Sequence, residues 1–176
     1  SLLAHALIHR SWLSGKNLPY WENNERLEFL GDSVLNMLVT EYLYKTYPES
    51  SEGELSKRKS AIVSGHALAQ TSLAWDLGSF VRIAKGEARM GGRLKESILS
   101  DAFEAVLGAV FLDGGLEEAR KLLVRFHFPR IEEIYIYTLL EWLSINAEIL
   151  SSVSGTISTM RSAVVLAGAA TGMLPL

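Results

Sequence analysis

Apolar residues dominate two stretches of the chain and predict two buried helices. In residues 24–38 the apolar positions leave little of a helix circumference free: Leu27, Phe29, Leu30, Val34, Leu35, Met37 and Leu38. Residues 97–112 have the same character, with Ile98, Leu99, Phe103, Val106, Leu107, Val110 and Phe111. A helix that is apolar nearly all round is typical of a protein interior. We therefore expect both helices to lie in the core.

Each of these two helices also carries a polar stripe, which a buried helix does not need. In the first, the polar residues follow one another at helical spacing: Glu25, Glu28, Asp32 and Asn36. In the second, the corresponding residues are Ser97, Asp101, Glu104 and Gly108. Residues three or four positions apart share one face of a helix. Burying a carboxylate in an apolar interior costs free energy unless the group is paired or bound to a cation. The stripes therefore indicate a metal-binding site.

The rest of the chain also shows helical spacing, with breaks at glycine and proline. We predict a helix within residues 2–12 and a loop over 14–21. The first apolar helix is predicted to begin at Asn23 or Asn24 as N-cap and to run to about Tyr47, before Pro48.

Beyond residue 50, the pattern predicts two short helices within residues 53–75, with a break near Ser64 and Gly65. Residues 79–95 are glycine-rich and basic and are predicted to form a mobile loop. The second apolar helix is predicted to end at a glycine C-cap, Gly114–Gly115, before an amphipathic segment, 116–126. No stretch before residue 130 alternates as a strand does, so the predicted class is all-α.

Composition adds little to the predicted fold and site. The chain has 176 residues, a formal net charge of −3 and no cysteine. It therefore has no thiolate metal site, and a reducing, cytoplasmic location is expected. The first residues, Ser1-Leu2-Leu3, carry neither an initiator Met nor a signal-peptide pattern, so we interpret the start as a trimmed N-terminus.

The two polar stripes become one site if the helices pack against each other. Gly31 and Gly108 would allow a close approach, and the four carboxylates of Glu28, Asp32, Asp101 and Glu104 would then converge. Oxygen ligands without His or Cys suit hard cations such as Mg²⁺ or Mn²⁺, one or two per site, and favour phosphoryl chemistry. The alternative is that the acids cap helices or form ion pairs with Arg26, Arg93 or Lys95.

Four segments of the chain resemble the ribonuclease III family, nucleases that act on double-stranded RNA. They are LLAHALIHRSW (2–12), NERLEFLGDSVL (24–35), SEGELSKRKSAIVS (51–64) and KESILSDAFEAVLGAVFLDGG (95–115). The resemblance covers roughly residues 1–128 and implies the helical nuclease domain of that family. It also implies that this domain, 1–130, forms a symmetric homodimer.

The resemblance assigns roles to individual residues. It implies that the metal-binding acids are Glu28, Asp32, Asp101 and Glu104, with Asp32 and Glu104 as the most direct ligands and catalytic residues. It also implies that Glu25 and Glu52 lie near the dimer junction and the edge of the catalytic valley. The implied reaction is Mg²⁺-dependent cleavage of double-stranded RNA, during processing of rRNA and mRNA precursors, leaving 5′-phosphate and 3′-hydroxyl ends.

Basic residues outside the acidic stripes are candidates for contacts with RNA phosphates. We predict such contacts from Lys57, Arg58 and Lys59 and from the loop at 82–95, in particular Arg89, Arg93 and Lys95. The alternative is that these side chains are ordinary solvated charges.

The final segment, 131–176, does not fit the pattern of a basic RNA-binding domain. Residues 147–176 contain two charged residues, Glu148 and Arg161, and no aromatic residue. We hypothesise a degenerate or frame-shifted replacement for a double-stranded-RNA-binding domain, and we expect no membrane span there. Two other functions remain open: a non-catalytic dimeric RNA-binding scaffold, and a metal hydrolase of small phosphate esters.

Overall fold

The computed structural model describes residues 1–130, and this part of the chain is helical. The helices are α1 (Leu2–Ala6), α2 (Glu25–Thr46), α3 (Glu52–Ile62), α4 (Gly65–Ala74), α5 (Leu77–Phe80), α6 (Lys85–Arg89) and α7 (Glu96–Phe126). Short 3-10 turns lie at Arg10–Leu13, Tyr20–Glu22, Gly92–Leu94 and Phe128–Arg130. Within residues 1–130 the only β pairing is an isolated parallel bridge between Ile8 and Arg82. The all-α prediction is confirmed.

The core forms where α7 packs against α2 and α4. Leu35 and Leu38 of α2 and Phe103 and Leu107 of α7 are fully buried. The predicted glycine break appears inside α7 at Gly115, whose φ of 78° and ψ of −173° are not helical. The helix therefore consists of two segments, as the sequence indicated.

The segment that precedes α2 differs from the prediction. The helix expected within residues 2–12 ends at Ala6, because the next residues pair with the segment around Arg82. The backbone N–H of Arg82 donates to the carbonyl of Leu7 at 2.7 Å, and the N–H of His9 donates to the carbonyl of Arg82 at 3.1 Å. Two distant parts of the chain thus meet beside the start of α2.

Asn24 occupies the N-cap position of α2, but its side chain makes no capping bond. It donates instead to the carbonyl of Ala6 at 3.2 Å. The capping oxygen comes from Asn23, whose Oδ1 accepts from the N–H of Glu25 at 3.0 Å. Both asparagines are buried, so the start of α2 is fixed to the end of α1.

The prediction that α2 is buried on all sides is wrong for the single chain. Phe29 is 78% exposed, Met37 50% and Tyr44 73%. These residues lie at helical spacing and form one apolar face, opposite the core. The reason is that no element between residues 1 and 130 covers this face of α2.

The predicted loop over residues 79–95 is mostly ordered into turns. It contains α6 and the 3-10 turn at Gly92–Leu94. Its centre is held by Arg93, whose Nη1 donates to the carbonyls of Gly78, Ser79 and Val81 at 2.8, 3.1 and 2.8 Å. The segment predicted to be a mobile loop therefore contains helical turns that the sequence did not indicate.

In the described part of the chain, no helix has both the length and the apolar character needed to cross a bilayer. The predictions made for residues 131–176 lie outside the described residues.

Candidate metal centre

The four predicted acids lie on the two helices that meet at the glycine contact. Glu28 and Asp32 belong to α2, and Asp101 and Glu104 belong to α7. A Cβ atom on Gly108 would overlap the carbonyl of Leu27 and would lie 3.1 Å from the nitrogen of Gly31. The two backbones therefore touch at this level, as the sequence predicted. This backbone contact places the polar stripe of α2 beside the polar stripe of α7.

A cleft of about 860 Å³ opens beside these helices. Glu25 and Glu28 line it from α2, and Ser97 and Asp101 line it from α7. Asp32 and Glu104 lie one turn further along the same polar stripes of α2 and α7 and are not among the residues that line the cleft. Asp32 is exposed, whereas Glu28, Asp101 and Glu104 are half-buried, so the acids border solvent rather than a dry interior.

The pKa values show that the carboxylates share one electrostatic environment. Burial, followed by the charges of Asp32, Glu28 and Asp101, raises the pKa of Glu104 to about 8. Burial also raises the pKa of Glu28 to about 7, with Asp101 as the next largest cause. The pKa of Asp101 is raised by burial as well. The charges of Asp32, Glu28 and Asp101 all contribute to the raised pKa of Glu104, so these three carboxylates lie near it.

The ion-pair alternative for these acids does not hold in residues 1–130. No Lys or Arg described there lies within 4 Å of a carboxylate of Glu28, Asp32, Asp101 or Glu104. Lys95 Nζ lies 3.7 Å from Glu87 Oε1, and Arg93 binds backbone carbonyls. Arg26 is exposed.

The donor set fits a hard divalent cation, although it is not preassembled. Within the described residues, no three acid or histidine side chains already surround a single point at ligand distance. Four carboxylates without compensating cations repel one another, and an ion would remove that repulsion as the side chains turn toward it. All-oxygen ligation suits Mg²⁺ or Mn²⁺.

Glu25 and Glu52 occupy different surroundings. Glu25 accepts from the hydroxyl of Tyr20 and from Asn23 Nδ2 and lies 3.9 Å from Arg10 Nη1, so its pKa is lowered, mainly by the Tyr20 hydrogen bond. Glu52 lies at the start of α3 and accepts from Ser56 Oγ at 2.7 Å. Glu25 lines the cleft and Glu52 does not.

Sequence reasoning missed the opposite wall of the cleft. That wall includes His9, Arg10, Ser11, Tyr20, Glu87 and the predicted RNA contact Lys95. The segment HRS, residues 9–11, lies at the end of the helix predicted within residues 2–12, and its three consecutive polar side chains were the available signal.

The basic residues predicted to contact RNA differ in their surroundings. Arg93 is engaged with backbone carbonyls, and Arg58 stacks over the Tyr47 ring, 4.4 Å from its centroid. Lys57 and Arg89 are exposed. Lys59 is half-buried near the end of α3.

Comparison with known proteins shows the family to which the chain belongs. The family model described as ribonuclease-III-like matches residues 1–131. The chain belongs to this family.

Two curated relatives, each named Ribonuclease 3, illustrate the relationship. The protein of Lactococcus lactis subsp. cremoris is 47% identical over 131 residues, covering 74% of this chain and 57% of that protein. The protein of Streptomyces coelicolor is 50% identical over 134 residues, covering 76% of this chain and 48% of that protein. The chain thus matches about half the length of these relatives.

A solved structure supports the same fold. The nuclease domain of ribonuclease III from Campylobacter jejuni superposes with a TM-score of 0.66 at 43% identity. The match covers 73% of this chain and 87% of that one. The Campylobacter domain is described as having structural flexibility in a region involved in dimer formation. The all-α ribonuclease III nuclease fold expected from the sequence is confirmed.

Proposed function

We propose that the protein is a Mg²⁺-dependent endoribonuclease that cleaves double-stranded RNA. The observation that carries the proposal is the convergence of four carboxylates, without cationic partners, on two helices in backbone contact. Membership in the ribonuclease-III-like family supports it. Mn²⁺ is expected to substitute for Mg²⁺, since both prefer oxygen ligands.

Some of these residues would bind the ion, and others would fix the orientation of its ligands. Glu28, Asp32, Asp101 and Glu104 would hold the metal, with Asp32 and Glu104 as the most direct ligands. A bound ion would supply Lewis-acid chemistry, activating a water molecule and offsetting charge on the phosphodiester. Asn36 Nδ2 donates to Asp32 Oδ1 at 2.7 Å, which restricts the rotation of that carboxylate. Products would carry 5′-phosphate and 3′-hydroxyl ends.

A homodimer fits the surface of α2. Phe29, Met37 and Tyr44 expose an apolar face, which is costly to leave in water. A second copy of the chain bringing the same face would bury it by twofold symmetry. Glu25 lies one turn from Phe29, in agreement with a place near the dimer junction, and Glu52 is proposed to reach the valley edge only in the dimer.

Exposed basic residues would then contact phosphates beside the cleft. Lys57, Arg89 and Lys95 remain candidates, and Lys59 is retained with them. Arg58 and Arg93 are less suited because their guanidinium groups already pack against protein groups. We place the reaction in the cytoplasm, in the processing of rRNA and mRNA precursors, with residues 131–176 as a degenerate substitute for an RNA-binding domain.

Incubation of the full chain with a long RNA duplex and Mg²⁺ tests the activity. We expect short duplex products with 5′-phosphate ends, and no comparable cleavage of a single-stranded RNA of the same composition. Binding of the duplex without cleavage would contradict the proposal and favour the scaffold function. Cleavage of small phosphate esters alone would favour the third function.

A further inference from the structure

Arg10 lines the cleft from the first 3-10 turn, and its backbone is fixed there. On one side of Arg10, the N–H of His9 donates to the carbonyl of Arg82 at 3.1 Å. On the other side, Ser11 Oγ accepts from the N–H of Ala84 at 3.0 Å. Contacts with residues more than 70 positions away in sequence therefore set the place of Arg10 on the cleft wall.

Glu25 holds the guanidinium group of Arg10 at the cleft. Arg10 Nη1 lies 3.9 Å from Glu25 Oε1. The other oxygen of this carboxylate, Oε2, accepts from the Tyr20 hydroxyl and from Asn23 Nδ2, the latter at 3.0 Å. The backbone N–H of Glu25 donates to Asn23 Oδ1 at 3.0 Å. The carboxylate is thus fixed by uncharged donors on one oxygen and presents its other oxygen to Arg10.

The N–H donors of the Arg10 guanidinium group are not used within the protein. A separation of 3.9 Å from Glu25 is too long for a hydrogen bond. Within residues 1–130, the Arg10 side chain makes no hydrogen bond, and it is 73% exposed. Arg93, by contrast, donates to three carbonyls, and Arg120 donates to Glu41. Arg10 therefore offers its donors to a ligand in the cleft.

The cleft is acidic, so an anionic RNA strand requires a cation there. The acids among the lining residues outnumber the basic residues, with Glu25, Glu28, Glu87 and Asp101 against Arg10 and Lys95. Both cations face one acid, since Lys95 Nζ lies 3.7 Å from Glu87 Oε1. Arg10 differs because its planar guanidinium group has several donors in a fork that matches two phosphate oxygens. It can face Glu25 and bind a phosphate at the same time.

We propose that Arg10 binds a backbone phosphate of the RNA strand in the cleft, while Glu25 holds the guanidinium group in place. The inference rests on the proposed function, since it takes an RNA strand as the ligand of the cleft. It adds a phosphate contact to those predicted from the sequence and makes Glu25 a positioning residue for Arg10. The bound phosphate would lie in the cleft that Glu28 and Asp101 also line.

Three variants separate a local phosphate contact from a loss of net charge. Arg10→Gln removes the charge and keeps a polar side chain. Arg10→Lys keeps the charge, and lysine also binds phosphate, as a point charge. Arg125→Gln is the matched control, because Arg125 is an exposed arginine near the end of α7 that does not line the cleft. Both Gln variants lose the same charge, so a difference between them reports the contact in the cleft.

The readouts are Tm and the affinity of the full chain for a long RNA duplex, measured by filter binding in chelator at several salt concentrations. We expect Arg10→Gln to weaken duplex binding about 10-fold at low salt. It should also reduce the salt dependence of log K by roughly one unit per lost phosphate contact. Arg10→Lys and Arg125→Gln should stay within about threefold of the wild type and keep its salt dependence. Tm should not change in any variant, because an exposed ion pair contributes little stability.

Four results would overturn the inference. They are wild-type affinity and salt dependence in Arg10→Gln, an equal loss in Arg125→Gln, an equal loss in Arg10→Lys, or a lowered Tm in Arg10→Gln, which would make Arg10 a structural residue. If the wild type cleaves duplex RNA with Mg²⁺ while any of these holds, only the role of Arg10 is wrong. If the wild type binds the duplex without cleaving it, the proposed function fails and the salt dependence still decides the role of Arg10. If the wild type binds no duplex RNA, both fail.

Discussion

Gly31 of α2 lies directly against the backbone carbonyl of Glu104 on α7. A Cβ atom at position 31 would overlap that oxygen and would come within 3.0 Å of the nitrogen of Gly108. The two helices approach this closely because no side chain separates their backbones at this point. The candidate site therefore depends on the absence of one methyl group, outside the set of metal ligands.

Gly31→Ala should be strongly destabilising. The new methyl group meets backbone atoms that cannot move independently, so the helices must separate, at a cost of about 3 kcal/mol or more. Gly53→Ala is the matched control, because nothing lies within 4 Å of its Cβ position in α3. That control should gain about 0.5–1 kcal/mol. Denaturant unfolding of both variants measures the difference, and equal stability would contradict the close contact.

The raised carboxyl pKa values predict a pH-dependent stability in the absence of metal. The pKa values of Glu28 and Glu104 are about 7 and 8 in the folded protein, against an ordinary value of 4.5. The folded state therefore binds more protons than the unfolded state between these limits, and stability must fall as pH rises through this window. In chelator, Tm should decrease from pH 6.5 to pH 8.5.

Glu104→Gln provides the comparison for this pH effect. The variant lacks the carboxyl group of Glu104, whose pKa is raised to about 8, so its Tm should depend less on pH over the same range. Mg²⁺ should raise the wild-type Tm more at pH 8.5 than at pH 6.5, because the ion binds the ionised carboxylates. A wild-type Tm that rises with pH in chelator would contradict convergence of the acids.

The exposed face of α2 predicts how the protein associates. Phe29→Asn should shift the chain toward monomer in sedimentation velocity, since it removes the most exposed apolar side chain of that face. Phe80→Asn is the control, because Phe80 is 63% exposed on α5, away from this face. A wild-type monomer, or equal weakening by both substitutions, would contradict the proposed interface.

The basic residues should separate into structural and RNA-contacting groups. Arg93→Gln removes three hydrogen bonds to carbonyls and should lower Tm. Lys57→Gln and Arg89→Gln should leave Tm unchanged and weaken duplex binding, reducing the salt dependence of log K by roughly one unit per lost phosphate contact. Filter binding at several salt concentrations checks this. Unchanged RNA affinity in both would leave these residues as solvated charges.

The sequence was sufficient where periodicity carried the information. The helical spacing of the acids and the glycines at positions 31 and 108 predicted α2, α7 and their contact. The exposed position of Phe29 could not be predicted, because residue type alone does not distinguish an apolar side chain in the core from one on an exposed face. Periodicity is a local property and does not say what covers a face.

The opposite wall of the cleft depends on contacts between distant residues. His9 and Arg10 line the same cleft as Glu28 and Asp101 because Ile8 pairs with Arg82, more than 70 residues away in sequence. Neither segment has the alternation of a strand, so no local pattern indicated the bridge. The turns over residues 79–95 were missed for the same reason, since Arg93 orders them through single hydrogen bonds to Gly78, Ser79 and Val81.

Single-turnover cleavage of a long RNA duplex tests the central claim most directly. We compare the wild type, Glu104→Gln and the control Glu49→Gln, with Mg²⁺ and with chelator. Glu49 is an exposed acid that precedes α3. The account predicts cleavage by the wild type and Glu49→Gln in Mg²⁺, none in chelator, and a loss of at least about 100-fold in Glu104→Gln. Cleavage that survives chelation, or a Glu104→Gln variant as fast as the wild type, would contradict the four-carboxylate metal centre.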